Sequence, residues 1–317
     1  MKFRAHDTFF IRKGWLSKGM RNVLAAPDVF VSRDKNPMDV LGIGANMVKA
    51  MRYWLVAVGL TSEPPYGQRV QTPTLLGEII NDNDQYFEEI GTLWLLHYML
   101  VKANNKERKK KDEDREYQVA NTEATAWWFF FNEFKVAEFT RDDFYNEITK
   151  FLRNSEEGEK PVRTIEDDFN CIIRTYMSRQ KTNPQKVKPE ENIDCPLGEL
   201  ELIDYAGYAK DEYGKKTRTY RKCTPKKDML PPLILLAVIL DQAQGEKEIR
   251  ISSIQSDIGN AGKVFNLDII SLIALLYKIQ LMGLIKVNRT AGLDVINIET
   301  DWDFHDCVIE YYRTING

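Results

Sequence analysis

Gly42 and Gly44, in "LGIGANMVKAMRYWL" (residues 41–55), stand at the mouth of a helical pattern. There, backbone amides could meet either a dinucleotide phosphate or a DNA groove. The dinucleotide fingerprint needs a third small residue three positions after Gly44, and that position is Met47. It also needs a buried strand just upstream, whereas residues 32–40 are polar and interrupted by Pro37. No GxxxxGK[ST] loop occurs elsewhere, so spacing excludes the nucleotide reading. For DNA the same helix is better supplied. Asn46 has the donor and acceptor pair that can read a base edge, Lys49 and Arg52 can reach phosphate or guanine, and Tyr53 lies beside them.

A second basic group is "GKKTRTYRKCTPKK" (214–227), which concentrates Lys215, Lys216, Arg218, Arg221 and Lys222 around Tyr220 with no acid among them. The alternation with Thr217, Thr219 and Cys223 predicts an edge strand. Lysine-rich edges also block aggregation, so phosphate contact and edge protection both stay open. The mixed-charge run 102–116, with Lys106, Arg108, Lys109, Lys110 and Lys111, reads as a solvated loop or fraying helix end, and 178–192 as a basic loop.

Phosphodiester cleavage commonly uses clustered carboxylates that hold Mg²⁺ or Mn²⁺. The acidic clusters are Asp82, Asp84, Glu88 and Glu89, then Glu166, Asp167 and Asp168. Glu133 and Lys135 have a restriction-type spacing, but inside an aromatic stretch that reads as buried. Each cluster is expected to be a helix cap or a solvated face. His6 and Asp7 are expected to form a hydrogen-bonding corner, and no active site is located. Cys171, Cys195, Cys223 and Cys307 have no CxxC spacing, and His6, His97 and His305 are scattered, so no metal site is expected.

The elements that must position these residues follow from periodicity. At about 100° per residue, Met47, Val48, Met51, Trp54, Leu55 and Val58 share one apolar arc, opposite Asn46, Lys49, Arg52 and Tyr53. Residues 14–25 read as an amphipathic helix, 37–42 as a short one, and 60–80 as a hairpin with Pro-Pro and Tyr-Gly turn signals. This order predicts a winged helix-turn-helix, with a helical bundle whose Asn46, Lys49, Arg52 and Tyr53 form an ordinary solvated face as the alternative. "ATAWWFFFNEF" (124–134) is apolar all round and predicts a buried helix. Residues 230–298 repeat the opening order with a clearer wing, but their long helix (266–283) shows little positive charge beyond Lys278, which suits a packing or partner-binding role. The expected fold is mainly α: N- and C-terminal winged helix-turn-helix modules flank a helical middle region with a basic hairpin. The expected boundaries are a winged-helix domain at 1–91, a helical domain at 92–155, a helix plus basic hairpin at 156–229, and a second winged-helix domain at 230–317.

Composition bounds the class. The 317 residues are 43% hydrophobic and 29% charged, with 44 Lys plus Arg against 47 Asp plus Glu and a formal charge of -3. This excludes a wholesale polyanion binder, so any nucleic-acid surface must come from local clustering. The apolar runs 92–101 and 230–240 are too short to span a bilayer, and a cytoplasmic, reduced protein is expected.

"FRAHDTFFIRKGWLSKG", "LGIGANMVKAMRYWL", "TLWLLHYML", "ATAWWFFFNEF" and "ENIDCPLGELELI", in that order, resemble an uncharacterised-domain family. It is encoded in bacterial DNA phosphorothioation and phage-defence gene clusters and typified by a DNA-nicking subunit. The resemblance covers nearly the whole chain. It implies action on double-stranded DNA beside a cysteine desulfurase, an ATPase and a sulfur-transfer enzyme, with Mg²⁺ or Mn²⁺ for nicking. It carries no catalytic residues over to this chain. A winged-helix transcriptional regulator and a protein-interaction scaffold are the competing readings.

Overall fold

The computed structural model describes residues 1–64, 66–102, 123–155, 158–177, 195–210, 214, 216–290 and 293–317. Lys106, Arg108, Lys109, Lys110, Lys111 and Lys215 lie outside these residues, as does all of the basic loop expected at 178–192.

Helix α1 (Trp15–Ala25) buries Trp15, Leu16, Gly19, Met20 and Val23, the spacing of one helical face. Gly19 is where it meets the next long helix: a Cβ there would come within 2.8 Å of Leu55. In α2 (Pro37–Leu41) the Asn36 side chain accepts from the Met38 amide, Pro37 fills the first turn, and Gly42 ends the helix at φ 61°. Helix α3 (Ala45–Ala57) then buries Val48, Met51, Trp54 and Leu55, followed by Val58, as the arc predicts, with Met47 half-buried.

The hairpin expected over 60–80 is much reduced. Only β1 (Thr61–Ser62) and β2 (Thr72–Pro73) pair, antiparallel, and α4 (Leu75–Asn83) follows at once. The cause is local. The Thr74 hydroxyl accepts from the Gly77 amide to cap α4, and Leu76, Ile79 and Ile80 give a helical rather than an alternating apolar pattern.

The middle region is dominated by two helices buried nearly all round, α5 (Ile90–Val101) and α6 (Thr125–Asn132); all eight residues of α6 are buried. The Asp84 carboxylate orders the turn before α5 by accepting from the Glu88 and Glu89 amides, each at 3.0 Å. Helix α7 (Arg141–Asn154) starts with a reciprocal Thr140–Asp143 capping box, and α8 (Val162–Tyr176) and the 3-10 helix Pro196–Leu200 pack beside it and α5. A three-stranded antiparallel sheet runs in the order β3 (Glu138–Phe139), β5 (Lys216–Lys222), β4 (Ile203–Lys210). The edge-strand expectation for the basic segment is corrected at one end. β5 is central where Glu138 and Phe139 pair with Arg221 and Tyr220 on the side away from β4, whereas residues 216–219 pair with β4 alone among the described residues. What draws β3 in is aromatic burial: Phe139, Phe169 and Tyr220 have ring centroids 5.9–6.3 Å apart.

Towards the C-terminus come α9 (Pro232–Ala243), β6 (Glu248–Arg250), α10 (Ile251–Ser256), α11 (Ala261–Val264), α12 (Ile269–Leu281), β7 (Ile285–Thr290), β8 (Leu293–Ile298) and α13 (Phe304–Asn316). Strands β7 and β8 form the expected hairpin, and β6 joins the far side of β8. Helix α13, capped by an Asp303–Asp306 box, lies along α9 and reaches back to α4 and α5. There the Tyr311 hydroxyl accepts from the Gly91 amide at 3.1 Å, and Thr92 and Tyr312 share a 2.5 Å hydroxyl pair. A Cβ on Gly91 would meet the Tyr311 ring at 2.3 Å, so the close approach requires glycine.

Among the described residues the chain is thus α-rich with three small sheets. Its buried apolar residues form one cluster, with members from Phe10 to Tyr312 in all four expected segments. No single helix among them is long and apolar enough to cross a membrane.

Candidate nucleic-acid interface

Helix α3 presents its polar face towards a groove of about 560 Å³ lined by Lys2, Lys49, Arg52, Tyr53, Glu63, Arg69 and Glu123, among others. Asn46 and Lys49 are exposed on the helix surface. Arg52 is held. Its Nε and Nη2 donate to the Glu63 carboxylate at 2.7 and 3.1 Å, and Nη2 also donates to the Arg69 carbonyl at 3.0 Å. Gln71 locks this fork by donating to Glu63 Oε1 at 2.8 Å and to the Arg52 carbonyl at 2.9 Å. Lys2 pairs with Glu123 at 2.6 Å. Lys49 and Arg69 have no acidic partner among the described residues, so the groove keeps a net positive charge.

Tyr53 is placed differently from its expectation. Its hydroxyl donates to the Glu123 carbonyl at 2.9 Å, and its ring packs 4.9 Å from that of Trp54. Burial, with Asp168 nearby, pushes the hydroxyl well above the ordinary tyrosine range. It forms the floor of the groove rather than a free contact.

The same segment carries His6, which pairs not with Asp7 but with Asp168, through Nε2 and Oδ1 at 2.6 Å. Both side chains are fully buried, and Asp168 also accepts from the Arg4 amide. Burial raises the Asp168 carboxyl above its usual range, opposed by the His6 hydrogen bond. The His6 ring stacks on Trp54 and meets Trp127 edge-on. The pair ties the N-terminal segment to α8 beneath α3, a structural role with no opening to substrate.

In the basic segment, Lys216, Arg218, Tyr220 and Lys222 share one face of β5 by strand alternation. The face runs from core to solvent. Lys216 and Arg218 are exposed opposite Lys210 and Tyr208, whose ring lies 5.7 Å from Tyr205. Arg221 pairs with Asp204 at 3.0 Å.

Lys222 leaves the candidate set. Its Nζ donates to the carbonyls of Phe130 (2.6 Å) and Phe134 at the end of α6, 4.6 Å from the Phe130 ring centroid. The sequence could not show this, because its neighbours stand some ninety positions away. Burial, reinforced by Lys263, pushes its ammonium down to about 7. Lys222→Ala should cost roughly 1–3 kcal/mol through the orphaned carbonyls and leave DNA affinity unchanged. A melting curve beside a binding isotherm checks this; lost affinity with an intact fold would return Lys222 to the interface.

The acidic clusters do not fit a divalent cation. Asp84 holds the turn before α5, Glu88 faces Lys13, Glu166 pairs with Arg141 at 3.2 Å, Asp167 with Arg4 at 2.9 Å, and Asp168 with His6. Among the described residues, no three His, Cys, Asp or Glu side chains converge as metal ligands. Sequence reading missed Lys2, Glu63, Arg69 and Glu123, which reach the groove from turns and termini without any periodic signal.

Two solved structures share this fold. The magnesium ion-bound SspB crystal structure aligns with a TM-score of 0.79 and the SspB crystal structure with 0.80. Both are 24% identical, over all of this chain and 89% of theirs. No curated protein matches the sequence. The family model for DUF4007, a protein of unknown function, matches residues 3–312, and the chain belongs to that family.

Proposed function

We propose that this chain is a DNA-binding component of a bacterial DNA phosphorothioation and phage-defence system, and that the groove beside α3 contacts the phosphate backbone. The observation that carries the DNA half is local. Four cations line one groove against two carboxylates, and Lys49 and Arg69 are unpaired among the described residues. A chain of formal charge -3 that nonetheless gathers cations in a concave surface fits a polyanion better than a neutral ligand. The system-level half rests on the sequence resemblance together with family membership and a fold shared with SspB.

Asn46 and Lys49, at the exposed start of α3, are the groups for base-edge and phosphate contact. Arg52 is preorganised by Glu63 and is a positioning residue for the groove wall. Lys216 and Arg218, interleaved with Tyr205 and Tyr208, supply a second phosphate-contacting surface. We also read the C-terminal run α9, β6, α10, α11, α12 and the β7–β8 hairpin as a winged helix by its order. The implied partners are a cysteine desulfurase, an ATPase and a sulfur-transfer enzyme. Equilibrium binding of duplex DNA across salt concentrations tests the reading, since affinity through phosphates falls steeply with salt.

Metal-dependent nicking is the second reading, favoured by the magnesium bound to one SspB structure. Supercoiled plasmid incubated with Mg²⁺ or Mn²⁺ should then relax to open circles. Plasmid that stays supercoiled, with binding intact, would leave this chain a binding component.

A further inference from the structure

Helix α12, the long helix before the β7–β8 hairpin, has an apolar outer face. Ile270, Ala274, Tyr277 and Leu281 follow one another at helical spacing, with Ile269 and Met282 alongside. Ile270 is 78% exposed and Leu281 86%, while Ile269, Tyr277 and Met282 are each more than two-fifths exposed. The one lysine on the helix, Lys278, is neutralised by Asp228. We propose that this face is the contact between two copies of the chain, paired antiparallel about a two-fold axis.

Three observations select a second copy as the occupant. The first is area. The exposed side chains present on the order of 500 Å² of apolar surface, the upper end for a monomer's largest patch. Two such faces bury about 1,000 Å², the threshold for a weak, reversible interface. The second is shape. The antiparallel register sets Ile270 against the partner's Leu281 and the small Ala274 against the partner's Tyr277, so that the axes can approach to about 8–10 Å. Gly283, at φ 76°, keeps the far end of the helix free of a side chain. The third is charge. Asp268 caps the N-terminal end by accepting from the Ser271 amide, and Lys286 is exposed just past the C-terminal end. Antiparallel pairing brings acid to base at both ends, as an isologous interface requires, whereas parallel pairing would set like against like. The inference is independent of the α3 groove, which belongs to other elements.

Sedimentation velocity on the full chain tests it. The sedimentation coefficient should rise from a monomer to a dimer value as the concentration is raised from about 1 to 100 μM, the span of a weak, reversible dimer. The double variant I270E/L281E, which alters only exposed positions, should sediment as a monomer throughout with an unchanged melting curve. K286E, which adds an acid facing Asp268, should shift the transition to higher concentration. A wild type that stays monomeric, or a dimer that any of these changes leaves untouched, overturns the proposal.

Discussion

Trp54→Ala is expected to destabilise the protein by roughly 3–5 kcal/mol, the range for a buried tryptophan. Its indole is fully buried, with ring neighbours Tyr53, His6 and Trp127 at 4.9, 5.9 and 5.3 Å. Nε1 also donates to the Phe9 carbonyl at 2.8 Å, so the variant would orphan that carbonyl as well as open a cavity. The N-terminal segment should suffer most, because the indole bonds the Phe9 carbonyl and stacks on His6. A fall in melting temperature of about 5–8 °C is expected for a chain of this size. A melting curve matching wild type would remove Trp54 from the core and undo the register of α3.

The second large effect is acid sensitivity centred on His97. The ring is fully buried between α5, α8 and α11, with Phe131 4.6 Å away edge-on. Its Nε2–H donates to the Val264 carbonyl at 2.7 Å, so Nδ1 is bare and accepts from the Tyr176 hydroxyl at 2.7 Å. Burial lowers its pKa to about 4, despite the Val264 carbonyl, which favours the charged form. The unfolded chain takes up this proton near 6.5 and the folded chain only near 4, so the unfolded state binds more protons between those values. The stability contributed by the neutral ring is complete above pH 6.5 and is lost as pH falls towards 4. The full loss is about 3 kcal/mol. Urea denaturation at pH 7.5 and 4.5 should show it. His97→Gln, which cannot titrate, should be weaker at pH 7.5 but lose less on acidification. Equal losses in both proteins would place the titrating group elsewhere.

What the sequence could convey depended on range. The α3 arc, the all-round burial of α6 and the β7–β8 hairpin were legible because each is written in periodicity within one element. The short form of the 60–80 hairpin was not. Its turn signals are real, but Thr74 and the apolar spacing after it start a helix before a second strand can extend. Strand position was equally hidden: β5 is central only because a two-residue strand from some eighty positions upstream docks on it. At the candidate site, the exposure of Asn46 and Lys49 followed from helical geometry. The restraint of Arg52 by Glu63, the anchoring of Tyr53 on Glu123 and the burial of Lys222 did not. Each depends on a partner brought in by the tertiary fold.

The central claim is that the groove beside α3 binds DNA phosphate. The decisive measurement is fluorescence anisotropy of a labelled duplex with wild type and with Lys49→Ala plus Arg69→Ala, titrated at several salt concentrations beside melting curves. Arg52 is left in place, because removing it would strand the Glu63 carboxylate. Both substituted side chains are exposed, so stability should move by less than about 0.5 kcal/mol. Affinity should fall about ten-fold or more, and the slope of log affinity against log salt should flatten by about two, one for each lost phosphate contact. Unchanged affinity and slope with the fold intact, or a wild type that binds no duplex at low salt, would contradict the account.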